Sequence, residues 1–349
     1  MIETKYGWNA KRQEEWEQLQ TDEWIPGRVI LEHKRLYRVI TASGELLSEV
    51  SGKFSFDAFD RQDFPAVGDW VAVSVREGEG KAIIHKVLER SSQFSRKAAG
   101  YTFEEQLVAV NVDTVMLVMA LTNDFNPRRM ERYVLLAYES GANPVIVLSK
   151  RDLCQDLETP IDQLERACPG VPIYAVSSLT GEGMEQLSGY LQEGKTVALL
   201  GSSGAGKSSL TNAFMDYQLQ KVNETRLSDD RGKHTTTHRE LFLLPNGAAI
   251  IDTPGMREIQ LLGAEAGLEQ SYEDIYALAD SCKFNDCKHH HEPGCRVQEA
   301  IQTGELSEQR YQGYVKLLKE QAFAKRQTDK REMIKEKKRW KQITKSRRK

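Results

Sequence analysis

The sequence predicts a multidomain α/β protein: an OB-type β-barrel, then an α/β domain whose mixed sheet has helices on both faces, then a helical metal-binding segment. Three observations carry this expectation. Residues 24–98 alternate short apolar runs with turn residues; residues 99–262 alternate apolar strands with helical stretches and contain TVALLGSSGAGKSSLTN; residues 263–349 are helical in pattern around three cysteines set among histidines. Residues 1–23 precede the barrel as an extension.

A chain of 349 residues, 40% hydrophobic and 28% charged, has room for two or three cores. No run approaches the ~18 consecutive apolar residues of a membrane span, and the charged N-terminus MIETKYGWNAKRQEEWEQ has no apolar signal region. The expectation is a cytoplasmic protein without membrane contact, and a monomer. The net charge of −3 conceals an asymmetry, because residues 325–349 carry thirteen Lys/Arg against three Asp/Glu. That tail is +10, which leaves −13 on the remainder. Of five cysteines, Cys282, Cys287 and Cys295 cluster beside histidines, which fits a metal site in a reducing compartment. Cys154 and Cys168 read as plain buried thiols.

Residues 1–20 place Trp8, Trp16 and Leu19 among charges, which suits one amphipathic helix with no evident function. GRVILEH, RLYRVITASG, ELLSEVSG, VGDWVAVSV and KAIIHKVLER then supply about five short strands, enough for a small closed barrel. OB-type barrels often bind RNA. This one carries twelve basic and ten acidic residues over 25–98, so charge gives that role no support. SSQFSRKAAGYTFEEQ reads as a linker. Beyond it DTVMLVMAL is a buried strand, and Asn126-Pro127 caps a helix that Gly141 ends. PVIVLS is the next strand; a helix around 161–167, the strand VPIYAV and a helix around 184–191 lead to TVALLG. A helix over 207–216 follows, then a polar stretch to His238 and a hairpin, ELFLLPNGAAIID, turning at Asn246-Gly247.

The chemistry begins at G-x-x-x-x-G-K-S, filled by Gly201, Gly206, Lys207 and Ser208 between a strand and a helix. Small residues (Ser202, Ser203, Gly204, Ala205, Gly206) let backbone N–H groups curl around a β-phosphate, and Ser209 continues the first helical turn, whose dipole favours an anion. Lys207 would bridge β- and γ-phosphates; the Ser208 hydroxyl would meet Mg²⁺. Asp252 ends an apolar strand 45 residues after Lys207 and opens DTPG. It suits a water-mediated Mg²⁺ contact, and the Gly255 N–H suits a γ-phosphate sensor. Between the motifs, GKHTTTHRE offers three threonines, of which Thr236 is the favoured Mg²⁺ ligand. Upstream, LSKRDL places Ser149, Lys150 and Asp152 at a strand end. An aspartate there accepts from N1–H and the 2-amino group of guanine, a donor pair adenine lacks, while the lysine stem lies over the base. VSSLTGEG, with Ser177 and Ser178, would set the Ser178 N–H on guanine O6.

The order of these pieces is informative. In Ras-like GTPases the base-reading segments follow the phosphate loop; here they precede it, so the GTPase domain is circularly permuted. With a barrel in front and a Cys/His cluster behind, residues 24–320 resemble the RsgA/YjeQ family of bacterial GTPases that act on the small ribosomal subunit. The resemblance implies GTP hydrolysis in late 30S maturation, stimulation by the 30S subunit, contact with 16S rRNA, and GTP and GDP as ligands with Mg²⁺. The family's base motif begins with asparagine where this chain has Ser149, which implies weaker guanine affinity with discrimination kept by Asp152.

Cys282-x4-Cys287-x-His289-x5-Cys295 supplies three thiolates and an imidazole, a closed tetrahedral set for one structural Zn²⁺. Chemically His290 or His291 would serve as well; the family resemblance selects His289. Met256 occupies the place of the glutamine that orients water in Ras-like enzymes, and the family instead implies a histidine before the threonines, here His234, as the catalytic partner of Lys207. Slow intrinsic hydrolysis follows, with a macromolecule needed to order residues 217–238. The tail, with KEKKRWKQ, KSRRK and Trp340, suits phosphate backbones and base stacking. A second reading, an RNA-binding assembly or stress-sensing factor using guanine nucleotide as an occupancy signal, shares these motifs but needs no turnover.

Overall fold

The computed structural model describes residues 6–21, 23–33, 35–76, 78–97, 105–223, 240–252, 268–269, 271–284, 286–290, 292–320 and 322. Thr236, His234, Gly255, Met256, His291 and the basic tail lie outside the described residues. The chain divides into two compact units, Met1–Ile259 and Gln260–Lys349.

The first unit opens with helix α1 (Ala10–Glu17), whose N-cap Asn9 accepts from the Arg12 N–H at 3.0 Å. Five strands follow: β1 (Ile25–His33), β2 (Leu36–Thr41), β3 (Gly44–Val50), β4 (Trp70–Arg76) and β5 (Lys81–Val87). β1, β2 and β3 form an antiparallel meander, β3 pairs β5 in parallel, β5 pairs β4, and β4 returns to β1. The ring is closed, so each strand has a neighbour on both sides, as an OB-type barrel requires. Alternate side chains (Val29, Tyr37, Val39, Val71, Val73, Ile84) fill its interior. Helix α2 (Gly52–Asp57) bridges β3 toward β4, with Ser51 accepting from the Phe54 N–H at 3.0 Å.

The stretch expected to be a linker is structured on both sides of residues 98–104. β6 (Gln93–Lys97) pairs antiparallel with β7 (Glu105–Val110), because Phe94 and Leu107, 3% and 5% exposed, are buried. Polar neighbours hid that pattern in the sequence.

The central sheet contains β8 (Thr114–Ala120), β9 (Asn143–Ser149), β10 (Ile173–Ala175), β11 (Thr196–Gly201), β12 (Glu240–Leu243) and β13 (Ala249–Asp252), in the spatial order β10-β9-β8-β11-β13-β12. All are parallel except β12, which makes the expected hairpin with β13. Parity assigns the faces. Met116, Val118, Val145, Val147, Val197 and Leu199 pack with Leu210 and Phe214 of α5 (Lys207–Asn223) and with Met184 and Leu187. The intervening positions, Val115, Leu117, Met119, Ile146 and Leu148, are buried toward the other face, where α3 (Pro127–Ser140) packs on β8 and β9. α3 starts and stops where expected: Asn126 accepts from the Arg129 N–H at 3.1 Å, and Gly141 ends it at φ 83°. α4 (Glu158–Ala167) precedes β10. The helix expected around 184–191 is present as a 3₁₀ helix, Met184–Tyr190, and one expectation needs correction: α5 continues seven residues past the expected end, to Asn223.

Barrel and sheet are joined through buried arginines. Arg28 of β1 donates to Thr196 Oγ1 at 2.8 Å, to the Asn111 and Gly68 carbonyls at 3.3 Å each, and to the Tyr6 carbonyl, with its guanidinium 5.4 Å from the Trp70 ring centroid. Burial lowers its pKa to about 10, against a favourable field from Asp113, so it remains cationic at neutral pH. Arg12 of α1 reaches the Asn111 Oδ1 at 2.7 Å. The N-terminal helix, without a role from sequence, therefore fastens the barrel to the segment that leads into β8. Arg28 meanwhile holds the first residue of β11, the strand that ends in the phosphate loop.

In the second unit α6 (Glu273–Asp280), α7 (Arg296–Thr303) and a helical stretch over residues 308–320 enclose Ile275, Val297, Ala300 and Leu306. Arg310 grips Asp274 with two hydrogen bonds of 2.6 and 2.8 Å and lies 4.6 Å over the Tyr272 ring.

Candidate nucleotide site and metal centre

The loops after β9, β10 and β11 leave the same, carboxyl edge of parallel strands, where open α/β sheets bind ligands. Gly201 closes β11 beside Val118, and a Cβ there would stand 2.2 Å from the Val118 carbonyl oxygen, so only glycine fits. Gly206 takes φ +90°, a left-handed conformation open to glycine, and turns the loop into α5. Ala205 is fully buried beneath the loop, while Ser203, Gly204, Ser208 and Ser209 are exposed. Lys207 opens α5, and its Nζ donates at 2.8 Å to both the Gly201 and Ser202 carbonyls. The ammonium thus already lies over the loop, held by oxygens that a phosphate can replace. Asp252 ends β13 directly opposite Leu199 of β11, so neighbouring parallel strands bring the backbone that leads to the phosphate loop and the backbone that opens DTPG side by side.

The base-reading segments are tied to each other and to this loop. The Ser149 hydroxyl donates to the Ala205 carbonyl at 2.6 Å, a direct link from β9 to the phosphate loop. Lys150 adopts φ 59°, which turns the chain so that the Arg151 N–H meets the Val176 carbonyl at 3.1 Å. The Ser177 hydroxyl donates to Asp152 Oδ1 at 2.6 Å and accepts from the Thr180 N–H at 3.2 Å. Asp152 is exposed and aimed by a buried neighbour, and Ser178 is half-buried beside it. The sequence named Ser177 without a role; its aim on Asp152 is a tertiary fact. A residue missed altogether is Asp124, in the loop after β8, which accepts from the Ser202 hydroxyl. Its only sequence signal was a polar TNDFN at a strand end.

Because Ser149 spans β9 and the phosphate loop with one short bond, Ser149→Ala is expected to weaken GTP and GDP binding about fivefold, the equivalent of one neutral hydrogen bond. Ser149→Asn is expected to match or exceed the parent. Titration with a fluorescent guanine nucleotide checks both.

In the second unit Cys282, Cys287, His289 and Cys295 bring one ligand atom each to within 4.8 Å of one another. His289 Nδ1 stands 3.6 Å from both the Cys282 and Cys295 sulfurs, which are 4.0 Å apart. A tetrahedral ion with bonds of about 2.3 Å to sulfur needs ligand atoms about 3.8 Å apart, so this group can hold a metal ion almost without rearrangement. His289 is turned inward at φ 58°, with its carbonyl fixed by Gln298 and Tyr311 at 2.7 Å each. Burial lowers its pKa from the usual value, which favours the neutral, ligating imidazole. Among the described residues this is the cluster with such a donor set.

A phosphate loop on β11, base-reading loops on β9 and β10 that precede it in the chain, and a parallel sheet arranging all three define a circularly permuted GTPase. The RsgA GTPase family model matches residues 87–262. The chain is 43% identical over 318 residues to the small ribosomal subunit biogenesis GTPase RsgA 1 of Oceanobacillus iheyensis, covering 91% of each chain, and 42% identical over 352 residues to RsgA of Opitutus terrae, covering 98% of this chain and 96% of that one. The crystal structure of YjeQ from Thermotoga maritima superimposes with a TM-score of 0.63 at 29% identity, covering 86% of this chain and 99% of the other. YloQ, described as a circularly permuted GTPase, shares the fold with a TM-score of 0.61 at 22% identity, covering 87% and 96%. This chain belongs to the RsgA GTPase family, and GTP hydrolysis is its activity.

Proposed function

We propose that this GTPase serves late maturation of the 30S ribosomal subunit, binding 16S rRNA and hydrolysing GTP when the subunit is present. The observation that carries the proposal is the biogenesis role in the names of relatives aligned over nine-tenths of both chains. Phe56 and Phe59, 88% and 66% exposed on the barrel, support RNA contact by offering faces on which bases stack. The basic tail supports it through its charge. The protein works as a cytoplasmic monomer; no helix among the described residues is long and apolar enough to cross a membrane.

At the active site Asp152 reads guanine, with the Ser178 N–H on O6 and Lys150 over the base. Ser149, Ser177 and the residues from Gly201 to Ser209 frame the pocket, and Lys207 moves from the Gly201 and Ser202 carbonyls onto the phosphates. Ser208, Asp252 and Thr236 would hold Mg²⁺, which neutralises charge that develops on the phosphate oxygens. The Gly255 N–H senses the γ-phosphate, and His234 orients the attacking water. Domain limits of 24–98 for the barrel, 99–262 for the GTPase and 263–349 for the zinc segment, after an extension of 1–23, accompany this reading. The metal of the Cys/His group is one structural Zn²⁺ held by Cys282, Cys287, His289 and Cys295, with no open position for catalysis.

Phosphate release under multiple turnover, with and without purified small subunits, tests the proposal. Stimulation of at least tenfold is expected, and His234→Ala should abolish most of it while leaving GTP affinity unchanged. A rate indifferent to the subunit would refute the ribosomal role; unaltered stimulation in the variant would remove His234 from the mechanism.

A further inference from the structure

The loop after β8 carries a charge pair that phosphate binding does not by itself explain. Asp124 accepts a short hydrogen bond from the Ser202 hydroxyl and pairs with Arg129 at 2.9 Å. Arg129 also donates to the Asp124 carbonyl, closing the loop on itself. Ser202 is the second residue of the phosphate loop and is 8% exposed, whereas Arg129 sits in the first turn of α3. A carboxylate anchored to a phosphate loop has the wrong sign for the ligand. At about 10 Å and an effective dielectric near 20, one uncompensated unit charge changes the affinity for a neighbouring unit charge on the order of tenfold. A site that must hold three phosphates therefore tolerates this anchor only if its charge is cancelled locally.

We propose that Asp124 and Arg129 form a charge-balanced positioning pair: Asp124 fixes the phosphate loop through Ser202, and Arg129 cancels the field that the carboxylate would otherwise impose on the polyphosphate. The proposal rests on the reading of residues 201–209 as the GTP phosphate site, and it adds two residues from outside that loop. Neither needs to touch the nucleotide. The sign of the effect separates this role from an ordinary arginine–phosphate contact, because losing the carboxylate should rescue the loss of the arginine.

The test is a double-mutant cycle on the full chain, read by titration of a fluorescent GTP analogue and of GDP. The wild-type chain must bind the analogue in competition with unlabelled GTP; failure there would count against the phosphate-site reading rather than the pair. Arg129→Ala should weaken both nucleotides about tenfold, with the deficit shrinking as salt is raised. Asp124→Asn keeps an acceptor for Ser202 without the charge, so its affinity should equal or exceed wild type. The double variant Asp124→Asn/Arg129→Ala should recover most of the lost affinity, and Arg129→Lys should lie within about threefold of wild type, since it keeps the charge while losing the planar fork. If the double variant is as weak as Arg129→Ala, or if Arg129→Ala binds normally at low salt, the proposal is overturned. Arg129→Gln, which can still donate to the Asp124 carbonyl, gives the same readout should the alanine variant not fold.

Discussion

Asp152→Asn is expected to lower the affinity for GTP and GDP by about 10²–10³-fold. In the proposed base site the carboxylate would accept from two donors on guanine, and charge-assisted bonds of this kind are roughly twice as strong as neutral ones. Asparagine offers one acceptor and one donor, so one guanine N–H would meet another N–H and lose its partner in a desolvated contact. Xanthine carries a carbonyl where guanine has the 2-amino group, which suits the amide. The variant should therefore gain affinity for xanthosine triphosphate as it loses GTP. The Ser177 hydroxyl, 2.6 Å from Asp152 Oδ1, can still donate to the amide oxygen, which keeps the side chain aimed. Competition of GTP, ATP and xanthosine triphosphate against a fluorescent guanine nucleotide measures the exchange. Undiminished GTP binding by the variant would show that residue 152 does not read the base.

Removing the metal from the Cys/His group should have the larger effect on stability. Structural zinc in small domains contributes on the order of 10 kcal/mol at neutral pH, comparable with the whole stability of a typical domain at about 5–15 kcal/mol. Cys295 itself is 5% exposed at the start of α7, so losing the metal unseats a buried ligand. Chelation, or Cys295→Ser, is expected to release the metal ion, zinc on the proposed reading, and abolish the cooperative unfolding of the helical segment around Cys282–Cys295. Because the first unit has its own buried barrel and sheet cores, GTP binding should persist. Metal content by absorption spectroscopy and limited proteolysis of the full chain provide the check. A Cys295→Ser protein that retained one zinc and resisted proteolysis would exclude the tetrahedral assignment.

Much of this site could be read from residue order. The phosphate loop announces itself because glycine and small residues are needed wherever backbone N–H groups must face an anion, and such needs are local. The same holds for the α3 cap at Asn126 and stop at Gly141, and for the Asn246-Gly247 turn. By contrast, β6 and β7 were hidden because burial of Phe94 and Leu107 depends on distant surfaces, and the 3₁₀ geometry of Met184–Tyr190 depends on packing against β11 and α5. Ser149 looked like a deficit beside the asparagine of related motifs. In the structure its hydroxyl donates to the Ala205 carbonyl, a contact between β9 and the phosphate loop that residue order does not reveal.

By itself the sequence determined the barrel, the permuted order of the nucleotide motifs and the three cysteines of the metal group, with His289 chosen among neighbouring histidines by the family resemblance, because each depends on residues close together in the chain or on simple alternation. Only the tertiary structure decided that Ser177 aims Asp152, that Asp124 anchors Ser202, and that Arg28 and Arg12 join the barrel and N-terminal helix to the central sheet. Those partners are 25, 78, 168 and 99 residues apart. A hydrogen bond across such separations leaves no local pattern, since its geometry is set by how the sheet and barrel pack rather than by neighbours along the backbone.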